Sequence, residues 1–283
     1  MKEKKSRVDA TDGHYRREHG GFESVKVCKD MQRGRGMNLR DFFQEEKRAA
    51  LAFSGGVDSA YLLYAAMRYG AQVRAYYVKS AFQPEFELAD ARRLAGELGA
   101  DMRVLEADVL ADPNVQANPA DRCYHCKRMI FSRIAEAAGE DGFTVLMDGT
   151  NASDDAGERP GMRALRELSV RSPLRECGLT KEEIRRLSRE AGLFTWDKPA
   201  YACLATRIPS GVEITREKLE RTERAEDYLF SLGFRDFRVR LLGDCARMQL
   251  PAEEFALLAE KRQEILDRLK KEYAGVLLDL EGR

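Results

Sequence analysis

The chain has 283 residues, and its 48 basic and 48 acidic side chains leave no net charge. Hydrophobic residues make up 43% and charged residues 34%, a balance that suits a well-buried globular core. No apolar run approaches the roughly 18 residues of a membrane span. The first 36 residues hold ten Lys or Arg against six Asp or Glu, which leaves the remaining body acidic by the same margin. A mildly acidic body argues against a dedicated nucleic-acid binder, which shows a basic stripe. No apolar segment follows Lys2, Lys4 and Lys5, so the expectation is a cytoplasmic protein without a secretory signal.

In chain order, residues 1–36 are polar and Gly-rich and are expected to form a poorly ordered leader. A short amphipathic helix is predicted at Leu39–Glu46. Ala49–Phe53 reads as a wholly apolar strand that stops at Ser54-Gly55-Gly56. A helix then opens at Asp58 or Ser59, with Leu62, Leu63, Ala66 and Met67 on its apolar face, and ends at Gly70. Strand Gln72–Val78, helix Glu85–Leu98, strand Met102–Glu106, helix Cys123–Ala138 and strand Phe143–Met147 follow. Strands separated by helix-length segments predict parallel crossovers and a doubly wound parallel α/β sheet. Thr180-Lys181-Glu182-Glu183 is a capping box, and its helix ends near Gly192.

After Pro209-Ser210-Gly211 the pattern changes. A helix over Thr215–Leu232 leads to strands Phe237–Leu242 and Arg247–Leu250, helix Glu253–Lys271 and strand Val276–Leu280. The expected organisation is therefore a leader over 1–36, an α/β domain over 37–208 and a smaller C-terminal α+β domain over 209–283.

The chemistry begins at Ser54-Gly55-Gly56-Val57-Asp58-Ser59. A strand that turns through two glycines into a helix is an anion site. The glycines let backbone approach phosphate, and the helix start supplies unpaired N–H groups and the positive dipole end. Ser54 and Ser59 add hydroxyl donors, and Asp58 is a candidate magnesium partner or cap. The loop lacks the Lys-Ser/Thr ending of a Walker A motif and the spacing of a dinucleotide fingerprint. It resembles instead the ATP pyrophosphatase family, in which the loop grips the β,γ-pyrophosphate of ATP while attack falls on the α-phosphate.

Six cysteines in a chain expected to be cytoplasmic do not suggest a disulfide framework. His125 is the sole histidine outside the leader, which excludes Ser-His-Asp catalysis and multi-histidine metal sites. Cys123 and Cys126 form a Cys-x-x-Cys pair, and Cys203 follows in a Pro-flanked loop. By itself such a pair is compatible with zinc, a redox dithiol, a cluster or chance. Structural zinc wants four ligands and a second clean pair is absent, whereas three thiolates suffice for a [4Fe–4S] cluster with one open iron.

Taken together the motifs resemble the LarE family of ATP-dependent sulfur transferases. The resemblance runs through Ser54–Ser59, Asp121–Lys127, Asp148-Gly149-Thr150-Asn151, Arg159–Ala164, Arg171–Leu174, Trp196–Pro199 and Cys203–Pro209. One departure is Thr206, where many relatives carry Ser. The resemblance implies an adenine nucleotide alpha hydrolase-like fold and a place in synthesis of the nickel-pincer nucleotide cofactor. A carboxylate of pyridinium-3,5-biscarboxylic acid mononucleotide would be adenylated by Mg-ATP and converted to a thiocarboxylate.

The family has two sulfur sources. One sacrifices the sulfur of the cysteine matching Cys203, leaving dehydroalanine; the other holds a [4Fe–4S] cluster on three cysteines. Because Cys123, Cys126 and Cys203 are all present, the resemblance implies the cluster form. It also implies ATP, Mg2+, a homo-oligomer and a sulfide donor protein, while the short apolar runs and the acidic body argue against a membrane or nucleic-acid partner. Asp148, Thr150 and Asn151 are expected to face the nucleotide. Arg207, Arg238 and Arg240 are candidates for the substrate phosphate, the last two sharing a strand face. Glu226 matches a substrate-side acid, and Trp196 is a candidate wall of the site. Rival readings are a tRNA thiolase, a non-catalytic nucleotide-binding module and an ammonia-using synthetase.

Overall fold

Strand β1 (Arg48–Ala52), which follows helix α1 (Leu39–Glu45), buries Ala49, Ala50 and Leu51 completely, the signature of an interior parallel strand covered on both faces. The computed structural model describes residues 37–154 and 160–282, which fall within one compact unit. The leader, with Cys28 and two of the three histidines, lies outside the described residues, as does Arg159.

Helix α2 (Val57–Arg68), strand β2 (Gln72–Lys79), helix α3 (Glu85–Leu98) and strand β3 (Asp101–Glu106) follow. Next come the short helix α4 (Pro113–Gln116), the long helix α5 (Arg122–Glu140) and strand β4 (Leu146–Met147). The four strands are all parallel, in the order β3-β2-β1-β4. Alternate residues divide between two layers. Ala49, Leu51, Ala75 and Tyr77 pack with Leu62 of α2 and Leu94 of α3, whereas Ala50, Tyr76 and Val78 pack with Ile134 and Ala137 of α5. Helices therefore cover both faces, as the doubly wound reading expects. The chain builds outward from β1 to β3 and then returns to the far side of β1, so the switch point lies between β1 and β4.

Strand β4 is shorter than the expected Phe143–Met147. The Phe143 N–H closes the end of α5 on the Ala138 carbonyl at 2.8 Å instead of joining the ladder, and its ring packs edge-on against Tyr76. Beyond β4 the sheet continues only as a single bridge between Met147 and Arg171. Helices α6 (Pro160–Glu167), α7 (Pro173–Glu176) and α8 (Lys181–Glu190) complete this half. The capping box is present: the Thr180 side chain accepts from Glu183 N–H, and the Glu183 carboxylate accepts from Thr180 N–H.

Helix α9 (Arg216–Ser231) leads into strands β5 (Arg238–Leu242) and β6 (Cys245–Gln249), then α10 (Phe255–Leu269) and β7 (Gly275–Leu278). β5 and β6 form an antiparallel hairpin, and β7 joins β6 in parallel. Their core includes Leu219, Phe237, Val239 and Ile265, together with Phe82, Val109 and Val115 from the first half of the chain. This shared packing brings the segment before α9 against the carboxyl edge of the first sheet.

Candidate active site

The loop after β1 has the geometry its sequence requires. Gly55 has φ +72°, and a Cβ there would lie 3.1 Å from the Ala91 Cα of α3, so glycine is needed for both conformation and space. Gly56 caps α2 with extended backbone and no side chain bonds to the helix start, which leaves the first-turn amides to a ligand. Ser54 and Ser59 are joined hydroxyl to hydroxyl at 3.2 Å, and the Gly56 N–H donates to Ser54 Oγ at 3.3 Å. Both hydroxyls therefore face the same small volume.

The loop after β4 lies directly against it. A Cβ on Gly149 would lie 2.9 Å from the Ser59 nitrogen, so only glycine allows the two backbones this contact. Asp148, Thr150 and Asn151 are buried rather than exposed. Asp148 accepts from the hydroxyls of Thr150 and, at 2.7 Å, Ser172. Asn151 donates to Asp58 Oδ1 at 3.3 Å, and Lys181 meets Asp58 Oδ2 at 2.5 Å. Burial pushes the Asp58 carboxyl above its ordinary range, and Lys181 offsets only part of that rise.

A cleft of about 370 Å³ runs from this loop past Val78, Ile130 and Lys198 to Tyr201 and Cys203. Cys123 and Cys126 sit in the first turn of α5, and Cys203 lies in the loop before Leu204–Arg207. Burial and the charge of Cys203 push Cys126 up to about 12, and burial also raises Cys203, with the Cys123 charge adding to it. The guanidinium of Arg122 donates to Cys123 Sγ at 3.5 Å. Arg122 is only 7% exposed, and its Nη1 has no hydrogen-bond partner among the described residues. Among the described residues no three His, Cys, Asp or Glu side chains close around a single metal ion.

Arg207 and Glu226 are brought together, both completely buried. Arg207 Nε and Nη2 donate to the two Glu226 oxygens at 2.7 and 3.0 Å. Glu226 also accepts from the Tyr201 hydroxyl and from Val239 N–H at 2.9 Å. Arg207 Nη1 spends its hydrogens on the Ala202 carbonyl and Thr206 Oγ1, each at 2.9 Å, and so fixes the backbone beside Cys203. Arg238 and Arg240 share one face of β5 while Val239 points into the core. Arg238 donates to the carbonyls of Phe237 and Ala200, and Arg240 to Thr206 and Gln249. Trp196 is half-buried, stacks under Arg189 at 4.8 Å and does not line the cleft.

Sequence reasoning missed Lys181, read only as part of a helix start, and Lys198, whose ammonium meets Asp90 at 2.6 Å on the cleft wall. It also missed Glu87 and Arg122. The one available signal was that Arg122 stands beside the Cys-x-x-Cys pair.

A parallel sheet with a Ser-Gly-Gly-x-Asp-Ser loop at its switch point defines a PP-loop ATP pyrophosphatase fold that uses ATP. Consistent with this, the asparagine synthase family model matches residues 42–157. The chain is 40% identical to an uncharacterized protein of Synechocystis sp., over 87% of this chain and 93% of that one. It is 34% identical to the pyridinium-3,5-bisthiocarboxylic acid mononucleotide synthase of Lactiplantibacillus plantarum, over 83% of this chain and 87% of that one. Similarity to a tRNA-specific 2-thiouridylase of Thermotoga petrophila is 25% over 52% of each. The chain belongs to the LarE family and is an ATP-dependent sulfur transferase. No helix among the described residues is long and apolar enough to cross a membrane.

Proposed function

We propose that this enzyme adenylates a carboxylate of pyridinium-3,5-biscarboxylic acid mononucleotide and converts it to a thiocarboxylate during synthesis of the nickel-pincer nucleotide cofactor. The observation that carries the reading is a single cleft lined by both the phosphate loop and Cys203. In the first step a substrate carboxylate oxygen attacks the α-phosphorus of Mg-ATP. The bond to the β-phosphate oxygen breaks, and pyrophosphate leaves. The α2 amides with Ser54 and Ser59 take the departing phosphates, Asp58 is the magnesium partner, and Lys181 adds positive charge. In the second step a sulfur nucleophile reaches the acyl carbon and AMP departs with the electron pair of the C–O bond. Arg207 and Glu226 act here by holding the Cys203 loop. Arg238 and Arg240 are the candidates to exchange carbonyl partners for the substrate phosphate.

We infer that Cys123, Cys126 and Cys203 would hold a [4Fe–4S] cluster. They are soft sulfur donors, Cys123 and Cys126 stand one turn apart at the start of α5, and the buried Arg122 guanidinium beside Cys123 would offset the charge of bound thiolates. When bound, such a cluster supplies sulfide from the iron that has no protein ligand. A second reading is favoured by Cys203 alone of the three lining the cleft. Here its sulfur attacks the acyl carbon, AMP leaves, and loss of the Cα proton breaks the Cβ–S bond, giving dehydroalanine and the thiocarboxylate. Under either reading we place the protein in the cytoplasm as a homo-oligomer; with the cluster, a sulfide donor protein renews it.

The test is incubation with Mg-ATP and either the pyridinium nucleotide or bulk tRNA, with AMP and pyrophosphate quantified. Release with the nucleotide alone is expected. Release only with tRNA marks a tRNA thiolase, and release with neither marks a binding module.

A further inference from the structure

Two carboxylates line the cleft, Asp58 and Glu87. Asp58 is engaged by Lys181 and Asn151, but the Glu87 carboxylate makes no hydrogen bond or ion pair among the described residues. It projects from the first turn of α3, half-buried. Its neighbour Phe86 meets Tyr201 edge-on at 4.9 Å and lies under the Lys198 ammonium, while Ala91, one turn on, packs against Gly55, so Glu87 stands between the phosphate loop and the Cys203 loop. None of the cations whose charge acts on it is free to pair with it. Lys198 is held by Asp90, Arg207 by Glu226, and Arg238 by backbone carbonyls. Burial has pushed its pKa up to about 7. Glu87 is therefore, among the described residues, a carboxylate without a partner on the cleft wall beside Tyr201, between the phosphate loop and Cys203.

ATP itself carries no cation, and its magnesium is assigned above to Asp58. Resting on the function proposed above, the acceptor does bring one: a pyridinium ring whose quaternary nitrogen is a fixed positive charge. We propose that Glu87 is the counter-charge for this ring, which makes it the residue that selects a cationic heteroaromatic acid over an uncharged aromatic acid of the same shape. A fixed cation cannot donate a proton, so the recognition is by charge and not by a hydrogen bond. Gln at this position keeps the shape and removes the charge.

The experiment compares wild type, Glu87→Gln and Glu87→Asp on the pyridinium nucleotide and on its neutral isostere, a C-nucleotide with ring carbon in place of the nitrogen. Binding is measured by equilibrium dialysis, and pyrophosphate release gives kcat and KM. Wild type is expected to bind the pyridinium form at least about tenfold more tightly than the isostere, and Glu87→Gln to lose most of that preference. Glu87→Asp should fall between the two, and KM for Mg-ATP should not move. The inference is overturned if Glu87→Gln discriminates as wild type does, or if its only change is in KM for Mg-ATP. Thermal melts confirm that each variant is folded, and Glu87→Asp keeps the test open should Glu87→Gln not fold. Absence of pyrophosphate release by wild type counts against the adenylation reading alone, because the dialysis result still decides the role of Glu87.

Discussion

Replacing Cys203 by alanine is expected to lower thiocarboxylate formation by about three orders of magnitude or more while leaving the adenylation half-reaction intact. The separation follows from position. Cys203 lies on the cleft wall, whereas the phosphate loop is held by its own hydroxyl contacts and by Gly149 packed against Ser59, none of which involves the cysteine. With no sulfur nucleophile at the acyl carbon, the adenylate forms once and stays. A quench-flow record should then show a burst of about one pyrophosphate per chain followed by arrest. Thiocarboxylate formed at the wild-type rate would remove Cys203 from the pathway. A missing burst would show that the loop and the cysteine are not independent.

The largest effect on stability is expected from Glu226→Ala. Glu226 is 1% exposed and accepts from Arg207 twice, from Tyr201 and from Val239. The alanine leaves a buried guanidinium without its counter-charge, together with an unpaired hydroxyl and amide. Breaking a buried pair in this way costs about 3–5 kcal/mol. For a chain of this size that lowers Tm by on the order of 10 °C. Urea denaturation with the linear extrapolation measures it. Replacing both partners, as in Arg207→Met with Glu226→Leu, should recover much of the loss because no charge is then stranded. A single-variant cost below about 1 kcal/mol would show that water reaches the pair, contrary to its burial. Sulfur transfer should not recover in the double variant, since Arg207 also holds the Ala202 carbonyl beside Cys203.

How much was readable before the structure depended on how local the information was. The phosphate loop was fully legible, because strand, two glycines and helix start are contiguous and each residue type has a physical reason to be there. The α/β alternation was legible for the same reason, since β1 to β3 and the helices between them carry strong patterns. Short elements were not. Helices α4, α6 and α7 are too brief to show a period, and β4 lost three expected residues because Phe143 serves the end of a helix.

Site residues divided along the same line. The alternation of β5 puts Arg238 and Arg240 on one face, but it does not say that both are already occupied by carbonyls. Arg207 and Glu226 were singled out separately, as a phosphate candidate and a substrate-side acid. Nothing in their 19-residue separation reveals that they are each other's partner. Glu87 reads from sequence as an ordinary acidic residue in a helix's first turn, favoured by the dipole. Only the fold shows that it lines the cleft and lacks a partner.

The proposed enzyme couples ATP-driven activation in the cleft to sulfur drawn from a renewable site on Cys123, Cys126 and the cleft-lining Cys203. The most direct measurement counts thiocarboxylate product per chain in anaerobically purified enzyme supplied with sulfide, alongside iron content and the intact mass of the protein. The account predicts several products per chain, about four irons bound and an unchanged mass, with Cys123→Ala losing both the iron and the repeat turnover. A yield that stops at one product per chain, with Cys203 converted to dehydroalanine, would contradict it.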